Sequence, residues 1–283
     1  MKLVHYFLPH KIITFFLGFL AKIRIILIKQ LLINAFIKFY GIKLDEALID
    51  DPKKFLNFNE FFIRRLKPKH RPINYSDNVI LSPVDGAVAD FGKILDGSLI
   101  QAKKYKYPVG ELLGDETLSR KFIGGSFVTL YLAPTDYHRI HCPLEGKIVH
   151  SGHEGNKLYS VNKSSQKLIP SLYIKNERSV LIIDSIDFEY SLISVGASVV
   201  GSIVPFWNKS KNPSRNQLVD DWITGPKPNQ EMVTRGQELA YFKMGSTVIL
   251  LFPKSINVDI DSLYQDKIVK FGEALLKISS RDI

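Results

Sequence analysis

Phe242-Lys243-Met244-Gly245-Ser246-Thr247-Val248-Ile249-Leu250-Leu251-Phe252 is the stretch on which the reading of this chain turns. From Ser246 onward it is a β-branched, aliphatic and aromatic run, entered through Gly245 and left through Pro253, which predicts a strand over 246–252. The same texture recurs at Phe127 to Leu132, Val180 to Asp184, Phe188 to Val195 and Ala197 to Val204, each run set off by Gly, Pro, Asn or Asp. It replaces a longer helical periodicity at about residue 75. The expected class is α+β: amphipathic N-terminal helices followed by a β-rich core, without internal repeats. Trp207 to Arg235, polar and carrying Pro213, Gly225, Pro226 and Pro228, reads as a long loop of the kind that borders sites.

A chain of 283 residues, 45% hydrophobic and 23% charged, has enough apolar material for a substantial core, which excludes a disordered protein. The formal charge of +10 calls for a polyanion, either nucleic acid or an acidic lipid surface. With Cys142 the single cysteine, no internal disulfide forms and no oxidising compartment is required.

The charge is unevenly spread. Lys2, Lys11, Lys22, Arg24, Lys29, Lys38 and Lys43 precede the first acid, Asp45, and apolar runs such as Ile12 to Leu17 and Ile25 to Ile28 lie between them. Those runs are broken too often for the roughly 20 apolar residues of a bilayer span. No small-residue cleavage site follows Ala21, so the segment is expected to be retained. Cations interleaved with aliphatics suit a helix lying in the membrane interface, with Lys22 and Lys29 on one face; ordinary core helices with solvent-facing lysines are the competing reading. A second basic cluster, Arg64, Arg65, Lys67, Lys69 and Arg71, follows Phe61-Phe62. Nucleic acid is disfavoured as partner, because stacking aromatics are not what separates the cations.

Three segments put reactive groups in turns or at strand ends: Ser82-Pro83-Val84-Asp85-Gly86, Pro134 to Pro143 with His138 and His141, and Gly245-Ser246-Thr247. His138, His141 and Cys142 are too crowded to complete a four-coordinate metal site, so no metal is expected. An ordinary serine hydrolase lacks its G-x-S-x-G elbow here.

Taken together with Phe58-Asn59-Glu60-Phe61-Phe62, Ser160-Val161-Asn162 and Val195-Gly196-Ala197, these segments resemble the bacterial-type phosphatidylserine decarboxylases over nearly the whole chain. Met244 stands where that family usually has leucine, an exchange that keeps size and apolarity. The resemblance implies a self-cleaving proenzyme with an Asp85, His141, Ser246 relay: Ser246 Oγ attacks the Gly245 carbonyl, His141 takes the proton and Asp85 orients the ring. Gly245, without a β-carbon, leaves the scissile carbonyl uncovered. β-Elimination from the resulting ester leaves a β chain of 1–245 and an α chain of 246–283 whose first residue, now dehydroalanine, tautomerises and hydrolyses with loss of ammonia to a pyruvoyl group derived from Ser246. That group is an electron sink of the kind pyridoxal phosphate provides elsewhere. His138 is implied in decarboxylation, with a satisfied turn histidine as the equal alternative, and Tyr137 and Arg139 are candidates for the lipid phosphate, Arg139 equally for pairing with Asp136. The implied organisation is a membrane-associating region, 1–72, and a catalytic domain, 73–283. Its expected setting is the cytoplasmic face of the cell membrane, acting on phosphatidylserine in an anionic bilayer, with a homodimer of processed heterodimers as a further option. A soluble pyruvoyl amino-acid decarboxylase would share the cleavage but have no use for the first 44 residues.

Overall fold

The computed structural model describes residues 18–101, 105–197, 203–207, 231–243 and 246–279. The apolar run 12–17, Lys2 and Lys11, Met244 and Gly245, the 198–202 part of one expected strand and the 208–230 part of the expected loop lie outside the described residues.

Helix α1 (Ile26–Tyr40) stops at Gly41, whose left-handed φ of 64° lets its N–H turn back to Ile37 O. Helix α2 (Phe58–Phe62) is started by Asn57, whose side chain accepts from Glu60 N, while the Glu60 carboxylate accepts from Leu56 N. The two pack through Ile33, Phe55, Phe58, Phe61 and Phe62, a small apolar cluster of their own. Lys29 departs from the expected outward lysine. Its ammonium is buried and donates to Lys53 O at 3.1 Å and to Phe55 O, so a cation serves the inner face. The outer face instead exposes Ile26, Leu27, Leu31 and Phe39.

The strands follow as β1 (Val79–Leu81), β2 (Gly86–Lys93), β3 (Ser98–Gln101), β4 (Tyr105–Pro108), β5 (Ser126–Leu132), β6 (Arg139–His141), β7 (Gly146–Glu154) and β8 (Arg178–Asp184). After these come β9 (Glu189–Gly196), β10 (Ile203–Pro205), β11 (Met232–Val233), β12 (Glu238–Phe242), β13 (Ser246–Phe252), β14 (Asn257–Val258), β15 (Ile268–Val269) and β16 (Ala274–Ser279). β13 has the bounds read from the sequence. The expected loop ends earlier than Arg235, because Met232 and Val233 pair with β7.

An antiparallel sheet in the order β11-β7-β8-β9-β13-β5-β2-β15 forms the body, with β13 in its middle. Every residue of β13 is buried. Strand alternation sorts them onto two cores: Val248, Leu250 and Phe252 pack with Val128, Leu130 and Leu181, while Ile249 and Leu251 pack with Phe127, Ile182 and Ile193. Each such aliphatic side chain contributes about 2 kcal/mol on leaving water, so the strand that starts at Ser246 is among the best anchored in the molecule.

A second sheet, β10-β12-β6, lies beside this end of β13. The chain leaves β5 at Leu132, opposite Ser246, crosses a loop and enters β6; β12 pairs with β6, and Phe242 N donates to His138 O at 2.9 Å before the chain runs on to Ser246. Two ladders therefore converge near the start of β13.

Candidate active site

Ser246 is fully buried at the first position of β13, and its Oγ has no hydrogen-bond partner among the described residues. A buried hydroxyl without a partner is a standing cost, tolerated where the group has another use. His138, tied to the strand leading into Ser246, is also fully buried. Its Nδ1 lies 2.8 Å from Asp136 O and must donate there, since a carbonyl only accepts. The lone pair is thereby left on Nε2, which is buried and unpartnered among the described residues, and the ring packs on Phe62 at 4.2 Å between centroids.

His141 follows the same logic with different partners. Nδ1 donates to Gly236 O at 2.8 Å, so Nε2 carries the lone pair and receives the Tyr137 hydroxyl at 3.0 Å. Gly236 is suited to that position because its φ of 80° is left-handed. The His141 ring is stacked on Phe271 at 3.6 Å. Asp85 does not hydrogen-bond to His141: its carboxylate is gripped by Arg71, with Nε at 3.0 Å from Oδ1 and Nη2 at 2.5 Å from Oδ2, and accepts from Phe271 N at 2.9 Å. Phe271 thus joins the two, its N–H held by Asp85 and its ring under His141. Gly86, next to Asp85, lets the start of β2 lie tightly against β5, since a Cβ there would meet Tyr131 O at 2.4 Å.

Burial lowers the pKa of His141 to about 4 and that of His138 to about 3, the backbone hydrogen bond opposing in each case. Both rings are therefore neutral proton acceptors at pH 7. An unfolded histidine, titrating near 6.5, takes up a proton that the folded rings refuse until about pH 4 and about pH 3. The unfolded state binds more protons in that interval, so the stability present above pH 6.5 is lost as pH falls through it, by an amount on the order of a few kcal/mol. Urea midpoints should drop progressively between pH 6.5 and pH 4, with His138→Gln flattening the slope.

Next to Asp85 opens a cavity of about 440 Å³, walled by Tyr40 at the end of α1 and Lys43 just beyond it, by Arg64 and Arg71, and by Asp136 and Tyr137. Burial raises the Asp136 pKa, and the nearby Asp85 charge adds to this. Arg139 pairs with Glu238 and donates to Ile63 O, so the expected alternative partner, Asp136, is not the one it takes. Lys243, just before the junction, is buried and has its pKa lowered to about 8. Among the described residues no group of three or more potential ligands stands ready for a metal ion.

Sequence reasoning missed Arg71, Phe271 and Gly236. Nothing in the sequence separates Arg64 and Arg71 from Arg65 and Lys69, which stay exposed; distant partners draw them inward.

A buried, unpartnered serine hydroxyl where a central strand begins, two buried neutral imidazoles on the segment that follows the strand paired with it, and a cavity beside Asp85 make up a candidate site for a serine-initiated enzyme. The family model described as phosphatidylserine decarboxylase matches residues 58–277, and a second, described as PSD, matches residues 3–41. Similar curated proteins include the phosphatidylserine decarboxylase proenzyme of Vibrio parahaemolyticus, 41% identical over 260 residues that span 91% of either chain. The proenzyme of the same name from Polaromonas is 38% identical over 275 residues, 96% of either chain, and that of Saccharophagus degradans is 35% identical over 97% of this chain and 96% of its own. The chain belongs to the phosphatidylserine decarboxylase family, lyases formed from a proenzyme.

Proposed function

We propose that this chain is a proenzyme that severs itself between Gly245 and Ser246 and then converts phosphatidylserine to phosphatidylethanolamine at the cytoplasmic face of the cell membrane. The observation that carries the reading is the buried, unpartnered Ser246 hydroxyl at the first residue of β13. It fits the precursor of a pyruvoyl group: a side chain shielded from water, with no competing hydrogen bond, on a strand anchored on both sides. Once formed, that group supplies an electron sink for the carbon that loses carbon dioxide.

The chain's own residues do the rest. Ser246 Oγ attacks the preceding carbonyl, giving up its proton to His141, the base of the proposed relay. Gly236 O holds the ring in the tautomer that has Nε2 free of a proton, and Tyr137 occupies that atom until the serine needs it. Asp85 positions the ring through Phe271. His138, with a bare Nε2, is the proton-handling group for the decarboxylation phase. The products of cleavage are 1–245 and 246–283, held together by the ladders of β13 to β5 and β9.

Access to the lipid follows from α1. Its outer face shows Ile26, Leu27, Leu31 and Phe39 to solvent, flanked by exposed Lys22, Arg24, Lys38 and Lys43, an arrangement that suits insertion into an anionic interface. No described helix is long and apolar enough to cross a membrane. The C-terminal end of α1 leads into the cavity beside Asp85, so a headgroup enters where the helix meets the lipid. Residues 1–72 are accordingly the membrane-associating part and 73–283 the catalytic part.

Purified protein mixed with phosphatidylserine vesicles should release carbon dioxide and phosphatidylethanolamine. Leu27→Asp with Leu31→Asp should mature normally yet bind acidic vesicles about a hundredfold or more weakly, since each buried leucine is worth about 2 kcal/mol. Unchanged sedimentation with vesicles would remove the membrane assignment of this face.

A further inference from the structure

Four arginines are deeply buried among the described residues, and three of them are satisfied. Arg71 holds Asp85, Glu46 and His70 O; Arg139 holds Glu238 and Ile63 O; Arg178 donates to the carbonyls of Glu111, Leu112 and Ile174. Arg64 is the exception. It is 7% exposed and sits over the Phe61 ring; of its nitrogens only Nη2 is hydrogen-bonded, donating to Thr135 O at 2.9 Å, while Nε and Nη1 are buried with no hydrogen-bond partner among the described residues. Among the described residues no carboxylate lies within ion-pair distance, although Asp85, Asp136 and Glu46 act on it from further off. A buried cation with open donors is costly unless an anion completes it.

Arg64 lies in the wall of the cavity that the end of α1 shares with Asp85 and Asp136. The carbonyl that holds it belongs to the loop leaving Leu132, the residue paired with Ser246. Its guanidinium is thus fixed on the path between the lipid-facing helix and the reacting end of β13.

We propose that Arg64 binds the phosphodiester of the lipid headgroup. The inference rests on the lipid-decarboxylase reading and assigns the group that holds the substrate's permanent charge. A guanidinium with unused N–H groups is well matched to phosphate oxygens. The substrate carboxylate is the poorer candidate: a cation paired with it would favour the ground state and lose its partner as carbon dioxide leaves, whereas the phosphodiester keeps its charge throughout. Tyr137 and Arg139, the other phosphate candidates, are already engaged, with His141 and Glu238 respectively.

The test titrates full-length protein with three probes that carry no amine: sn-glycero-3-phosphoglycerol, a diester without carboxylate; 3-hydroxypropionate, a carboxylate without phosphate; and inorganic phosphate. Arg64→Gln should weaken the diester roughly 10- to 100-fold and leave 3-hydroxypropionate unchanged, the range expected for hydrogen bonds to a charged group. Arg64→Lys, which keeps the charge and guards against a folding defect in the first variant, should bind the diester with intermediate affinity. The proposal is overturned by unchanged diester binding in both variants, or by a loss that falls on 3-hydroxypropionate instead. Tighter binding of inorganic phosphate than of the diester would make this a free-phosphate site and overturn it as well. Decarboxylation of vesicles by the wild-type protein judges the enzymatic reading separately, so the two failures are distinguishable.

Discussion

Ser246→Ala will remain a single chain of 283 residues, with no fragment of 246–283 on denaturing gels and with decarboxylation at background. The attacking oxygen is then missing, and with it the ester whose elimination turns this residue into the pyruvoyl group, so processing and catalysis fail together. Stability should move the other way or not at all. The hydroxyl that is lost has no hydrogen bond to lose, and alanine fits the same buried slot, so the unfolding free energy is expected to stay within about 1 kcal/mol of wild type. That separation of a total functional loss from an intact fold is what a structural serine would not give. A cut and active Ser246→Ala protein would end the account.

Asp85→Ala is expected to damage both maturation and stability. Arg71 keeps Glu46 and His70 O but loses its buried carboxylate, and Phe271 N loses its acceptor. Removing one partner of a buried pair costs about 3–5 kcal/mol, and the surviving contact to Glu46 places this case at the lower end. Phe271 is then no longer held beneath His141, so cleavage should stall even at temperatures where the variant is folded. Asp85→Asn, which keeps the shape but not the charge, should unfold less readily and still mature slowly. Pulse-chase electrophoresis alongside urea denaturation reads the two effects apart. Prompt cleavage in both Asp85→Asn and His141→Ala would sink the relay.

How far the sequence reached differs between fold and site. Local chemistry was enough for β13, whose bounds are Ser246 and Phe252 as the glycine and proline around them demand, and for β5, β8 and β9 to within a residue or two. The sheet order was not legible, because β13 sits between β5 and β9 through pairings distant in sequence, which no local pattern encodes. The α+β class followed from the change of texture near residue 75. Lys29 was misjudged for an instructive reason: a lysine on an amphipathic helix normally marks the wet face, but here two carbonyls of the 53–55 segment take it inward and leave aliphatics outside.

At the site, residue types were legible and partnerships were not. The sequence supplied Asp85, His138, His141 and Ser246 as chemistry-bearing groups. It did not show that Asp85 would be held by Arg71, or that Phe271 would connect it to His141. Those links join residues far apart along the chain and depend on where glycines such as Gly86 in β2 and Gly236 in its turn let the backbone run.

The most direct measurement is intact-protein mass spectrometry of a purified preparation that decarboxylates phosphatidylserine. The account predicts two polypeptides, 1–245 and 246–283, the smaller lighter by one ammonia than a fragment beginning with plain serine. An active preparation consisting of the undivided 283-residue chain would contradict it.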